Sequence, residues 1–282
     1  MSRGPYRSQR SRHILEDWQR SRLGALRERA VRTDRGLSIV VEAGPPDADP
    51  VVMIPGAGFP PVIAADRLGA LADHRRLAVV EAPGRPGLGS TKACDPNSDE
   101  LAVWAEGVLD ALGVDRADLV GHSAGGCDVL RIAWERPERV RRVILVSPAG
   151  IIRARTPWAL LWASAAWRIA PGERTSRRVL SLVMGNAAPD PDLVEWTTLM
   201  ARHVRSGPPP RALAPPVLRA VAARTLMIAG DRDPVFPAQR LVAEARRHLP
   251  DAAVEVVPGG GHVLPVECPD RVAALVEDFL AA

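Results

Sequence analysis

Apolar and polar positions along this chain fall into a repeating strand–helix rhythm. Val51–Ile54 and Leu77–Val80 are unbroken apolar runs bounded by Gly, Pro or charged residues, as in strands buried on both faces. Before them, Ala30–Thr33 and Leu37–Glu42 flank Asp34-Arg35-Gly36, which predicts a hairpin. A helical period over 99–112 leads to a strand at 117–120, a helix at 124–135 and a strand at 142–146. After a long interval come a strand at Thr225–Ala229, a helix at 238–248, a strand at 253–257 and a helix at 269–281. In that last helix Val272, Leu275, Val276, Phe279 and Leu280 form one stripe, and Pro269 suits its first turn. The alternation predicts an α/β fold: a mostly parallel central sheet with helices on both faces.

Two stretches break the rhythm. Residues 149–223 separate two strands that would otherwise be neighbours. They hold Trp158, Trp162, Trp167 and Trp196 and the breaker run Gly207-Pro208-Pro209-Pro210. A structureless loop of that length is unusual, so an inserted helical cap is expected. Residues 1–27 form an Arg-rich extension with an amphipathic pattern around Ile14, Leu15, Trp18 and Leu26, expected to pack loosely on the domain.

Composition narrows the function classes. At 282 residues with 46% hydrophobic and 25% charged residues, the chain suits one large domain with a cap. The net charge is +4, and Lys92 is the only lysine, so the positive charge is almost all arginine. No nucleic-acid module accompanies the basic extension, so no nucleic-acid partner is expected. No apolar run is long enough to span a bilayer and no secretory signal is visible, so the expectation is a cytoplasmic protein with no membrane partner. Cys94, Cys127 and Cys268 give neither a disulfide framework nor a metal spacing, and Cys127 reads as a core residue. No His or Cys pairing suggests a metal, and the glycines at 56–58 and 259–261 form no dinucleotide fingerprint; no cofactor is implied.

The chemistry centres on Gly121-His122-Ser123-Ala124-Gly125, between a predicted strand and a predicted helix. That context makes Gly-X-Ser-X-Gly a nucleophile elbow, with Ser123 on a sharp strained turn and free N–H groups of the following helix beside it. A serine hydroxyl needs a base, usually His oriented by a carboxylate. Two later strands end in suitable turns: Gly230-Asp231-Arg232-Asp233 after 225–229, and Pro258-Gly259-Gly260-Gly261-His262 after 253–257. Order and placement make Ser123, Asp233 and His262 the candidate triad, with Asp231 the fallback acid.

With these motifs the chain resembles the α/β-hydrolase superfamily over roughly residues 30–282, nearest its cap-bearing esterase, lactonase and carbon–carbon bond hydrolase branch. The resemblance implies an α/β-hydrolase core from 28–148 and 224–282, with the cap at 149–223. It favours Asp233, which stands before Pro-X-X-Pro in its turn. It implies oxyanion donors from the N–H groups of Ala57 and Ala124, although the loop reads Pro55-Gly56 where most relatives have His-Gly. The relatives' Asp-X-X-Gly-X-Gly-X-Ser segment reads Glu81-Ala82-Pro83-Gly84-Arg85-Pro86-Gly87-Leu88-Gly89-Ser90 here, and a structural turn is expected.

Phe59, His122, Trp158 and Trp162 are candidate substrate-binding residues, the tryptophans as lining of an apolar pocket. The implied activity is hydrolysis of a small carboxylic ester, lactone or thioester by a monomer or homodimer. The alternatives are a carbon–carbon bond hydrolase, another acyl-processing enzyme of secondary metabolism, or a non-catalytic small-molecule binding protein on the same fold.

Overall fold

The computed structural model describes residues 4–282. Eight strands form one sheet: β1 (Arg27–Thr33), β2 (Gly36–Ala43), β3 (Pro50–Ile54), β4 (Arg76–Val80), β5 (Ala117–His122), β6 (Val140–Val146), β7 (Arg224–Gly230) and β8 (Ala253–Val257). Their spatial order is β1-β2-β4-β3-β5-β6-β7-β8. β1 and β2 are the expected hairpin, with Thr33 opposite Gly36, and β2 runs antiparallel to β4. From β4 to β8 every pairing is parallel. All these strands therefore deliver their C-terminal ends to one edge of the sheet, where open α/β folds place their sites.

The helices are α1 (Gln9–Arg20), α2 (Pro61–Arg67), α3 (Glu100–Leu112), α4 (Ala124–Glu135), α5 (Trp158–Ile169), α6 (Glu173–Val183), α7 (Pro191–His203), α8 (Pro215–Arg219), α9 (Ala238–His248), α10 (Leu264–Glu267) and α11 (Pro269–Ala281). Strand alternation assigns the core. Val51 and Met53 point to the layer with α2 and α11, whereas Val52 and Ile54 point to the layer with α3, α4 and α9. Each face is thus covered, which is why the parallel strands read as continuous apolar runs. Cys127 lies buried in the second layer, as expected.

β6 and β7 are parallel neighbours, with Val143 opposite Thr225, and α5–α8 lie between them in the chain. The N-terminal segment corrects the expectation of loose packing. Ser8 caps α1 through the Ser11 N–H, and Leu15 and Trp18 are buried. Trp18 meets Trp196 of α7 at 5.0 Å between ring centroids, and the Arg22 guanidinium sits 4.0 Å over Trp18. Arg22 also pairs with Asp192 and Glu195 of α7 at 2.9 and 2.6 Å. The Tyr6 hydroxyl donates to the Gly87 carbonyl and accepts from its N–H, hooking the segment to the core. Interspersed apolar side chains, hidden by the arginine content, seat this segment. No helix among the described residues is long and apolar enough to cross a membrane.

Candidate active site

Ser123 follows β5 and precedes α4 with φ 51° and ψ −118°, a conformation that side chains rarely adopt. Its surroundings over-determine it. The Ser123 N–H donates to the Val146 carbonyl, and its own carbonyl accepts from the N–H groups of Gly126 and Ala149. The flanking glycines are required by close approach rather than by their dihedral angles. A Cβ on Gly121 would lie 2.5 Å from the Gly125 carbonyl oxygen, and one on Gly125 would lie 1.9 Å from that of Ile54. The strand, turn and helix can therefore meet only with glycine at both places.

The sequence-predicted triad comes together. Ser123 Oγ lies 2.9 Å from Nε2 of His262, and Nδ1 of His262 lies 2.9 Å from Oδ2 of Asp233. With the Asp233 carboxylate accepting from Nδ1–H, the other ring nitrogen is left to accept from the serine hydroxyl. Asp233 is almost fully buried, and its second oxygen accepts from the N–H groups of Val235 and Phe236 at 2.7 and 2.9 Å. Asp231, the fallback acid, instead accepts from the Gly259 N–H at 2.7 Å in an exposed turn, so geometry selects Asp233.

The loop after β3 brings Ala57 alongside. A Cβ on Gly56 would be 3.1 Å from Cβ of Ser123, so this backbone passes directly by the elbow. Three bonds hold the loop's carbonyls: Arg85 donates to Pro55 at 3.0 Å, the Phe59 N–H to Gly56 at 2.9 Å and the Trp196 indole to Gly58 at 2.8 Å. C=O and N–H point oppositely across a trans peptide, so fixing the Gly56 carbonyl fixes the Ala57 N–H. Among the described residues the Ala57 and Ala124 N–H groups have no hydrogen-bond partner within the chain.

His122 is fully buried between the elbow and the His262 turn. Its Nε2 donates to the His262 carbonyl at 3.0 Å. Burial, reinforced by the neighbouring His262 imidazole, pushes its pKa down to about 3, so its ring stays neutral. Phe59 packs edge-on against it, centroids 5.3 Å apart. Both therefore pack beside Ser123. Trp158 and Trp162 depart from the expected pocket lining: they are 76% and 70% exposed on the outer face of α5. The inner face of that helix is taken by Leu160 and by Trp167, whose indole donates to the Thr197 carbonyl.

Three residues were not legible as site residues. Glu267, ending α10, accepts from the N–H groups of Gly261 and Val263, each at 2.7 Å, and of Gly185 at 2.6 Å. One carboxylate thus brackets His262 and ties it to the segment after α6. Arg85, in the segment expected to be a plain turn, links Pro55 to Asp128 of α4. Trp196 reaches the loop after β3 from α7. The partners of Arg85 and Trp196 lie far away in sequence, and those of Glu267 are backbone N–H groups, so no local pattern marks them. Among the described residues no cluster of His, Cys, Asp or Glu is arranged to hold a metal ion.

Residues 51–275 match the family model described as "Alpha/beta hydrolase family". The chain is an enzyme of the alpha/beta hydrolase family. It is 32% identical over 254 residues to a 2-hydroxymuconate semialdehyde hydrolase of Pseudomonas putida, covering 82% of this chain and 87% of that protein. It is 24% identical over 265 residues to carboxylesterase YbfK of Bacillus subtilis (strain 168), covering 89% and 86%. The crystal structure of carboxylesterase CesB (YbfK) from Bacillus subtilis superimposes with a TM-score of 0.83 at 22% identity, covering 96% of this chain and 98% of that one. That likeness establishes the shared fold.

Proposed function

We propose that this alpha/beta hydrolase cleaves a small, largely apolar carboxylic ester, lactone or thioester through an acyl-enzyme on Ser123. The observation that carries the reading is the unbroken relay at 2.9 Å from Ser123 to His262 and 2.9 Å from His262 to Asp233. In the reaction, Ser123 Oγ attacks the carbonyl carbon while Nε2 of His262 takes its proton. Asp233 holds the ring by Nδ1 and stabilises the imidazolium as it forms. The Ala57 and Ala124 N–H groups donate to the oxyanion, and a single such donor is worth about 3 kcal/mol in transition-state stabilisation. The imidazolium then protonates the leaving oxygen or sulfur, and His262 next deprotonates a water that releases the acid. We assign 149–223 as the cap over this edge and Phe59 and His122 as the wall beside the serine.

The test is labelling by a fluorophosphonate probe, with Ser123→Ala and His262→Ala alongside. Adduct at Ser123 that depends on His262 is expected, followed by turnover on an ester, lactone and thioester panel. A folded protein that takes up no probe would overturn the reading in favour of a binding protein. The relationship to the Pseudomonas putida hydrolase favours a second reading, carbon–carbon cleavage next to a ketone by the same triad. Product analysis with a dienoate ketone separates the two.

A further inference from the structure

α5 presents an apolar face that the rest of the described chain leaves uncovered. Trp158, Leu161, Trp162 and Ile169 are 76%, 46%, 70% and 85% exposed. Their spacing puts them on one side of three helical turns, and Ala159, Ala165 and Ala166 fill the gaps between them. No charged residue interrupts that side, since Arg168 turns away to the Val204 carbonyl.

The surroundings are basic. Residues 149–223 contain ten arginines against four acidic residues, a net +6. The remainder of the chain, with 27 basic and 29 acidic side chains, is −2. Exposed Arg153 and Arg155 precede α5, and exposed Arg174 and Arg178 lie on α6, which packs beside it.

We propose that α5 docks this enzyme on an anionic phospholipid surface. The helix would lie in the interface plane, its tryptophans and aliphatic side chains below the headgroups and the arginines among them. At 12 residues it is about 18 Å long and too short to span a bilayer. Two observations select this occupant. A stripe about 18 by 10 Å falls well short of the roughly 800 Å² per side of a specific protein interface, yet it is what an interfacial helix inserts. A second copy packed face to face would also bring two +6 segments together. The inference stands apart from the catalytic reading and replaces the expectation of no membrane partner with one of surface docking.

The test is co-sedimentation of the full chain with vesicles of phosphatidylcholine alone or mixed with phosphatidylglycerol, together with tryptophan quenching by brominated-chain lipids. Binding to the mixed vesicles, weakened by salt and absent from the neutral ones, is expected. Leu161→Ser with Ile169→Ser should lower the partition coefficient about tenfold or more at an unchanged melting temperature. Arg174→Ser with Arg178→Ser should lower it on the mixed vesicles through charge alone. Failure to bind the mixed vesicles, or equal binding by the apolar double variant, overturns the proposal. A concentration-dependent dimer without lipid that the same double variant abolishes overturns it in favour of a second copy.

Discussion

The sheet edge that carries Ser123 and the helix α5 that stands beyond β6 obey different rules. At the edge, the anchoring groups each have several partners: Asp233 has three donors, Glu267 has three, and the loop after β3 is held by three bonds. On the outer face of α5, four large apolar side chains keep about half or more of their surface exposed. The edge is rigid because removing any one group leaves buried partners unpaired. The face of α5 tolerates change because its side chains contribute little to folding. Many partners per anchoring group therefore distinguish the proposed catalytic edge, and uncovered apolar surface distinguishes the proposed docking face.

The largest expected effect lies at the edge. Ser123→Ala should lower kcat by roughly three orders of magnitude or more with no loss of melting temperature, since binding and the oxyanion donors remain. Asp233→Asn should cost about three to four orders by mis-setting the imidazole tautomer, whereas Asp231→Asn should leave kcat within about threefold. Equal losses for the two would break the assignment of the acid. Glu267→Gln leaves one acceptor oxygen for three donors, and kcat should fall about ten- to a hundredfold with KM little changed.

A fourth measurement concerns Glu81, buried against Gly87, whose carboxyl is pushed up to about 8 by burial, partly offset by Arg85. An acid whose folded pKa exceeds its unfolded one stabilises the fold at low pH and loses that contribution as pH rises between the two values. Between about 4.5 and 8 the native state holds a proton that the unfolded chain has released, so stability falls with rising pH. Glu81→Gln should therefore raise the melting temperature at pH 8.5 and leave it near that of the parent at pH 4.5; a pH-independent difference would break this account. The smallest effect belongs to α5, where Leu161→Ser with Ile169→Ser should change folding stability by less than about 0.5 kcal/mol in denaturant titration.

The same contrast explains what a reading of the sequence reaches. Ser123, Asp233 and His262 were legible because each stands just after an apolar strand run, and parallel strands deliver such ends to one edge. The sheet was legible for the same reason, down to the Thr33–Gly36 hairpin. The direction of the α5 tryptophans was not, because Trp158 and Trp167 lie on opposite sides of one helix and composition does not assign sides. Glu267 was hidden because its acceptors' partners are backbone groups, which have no sequence identity. The docking of α1 was hidden because Tyr6 and Arg22 pair with residues 81 and 170 positions away.

Those separations also set an order of events. Arg22 leaves the ribosome long before Asp192 and Glu195 exist, so Leu15 and Trp18 must wait in the open while most of the chain is made. Closing so long a loop is slow, and contacts of this separation form late. The segment carrying α1, synthesised well before its partners, is thus among the last to be seated, and a chain stalled before α7 would display its unpaired tryptophan to chaperones and proteases.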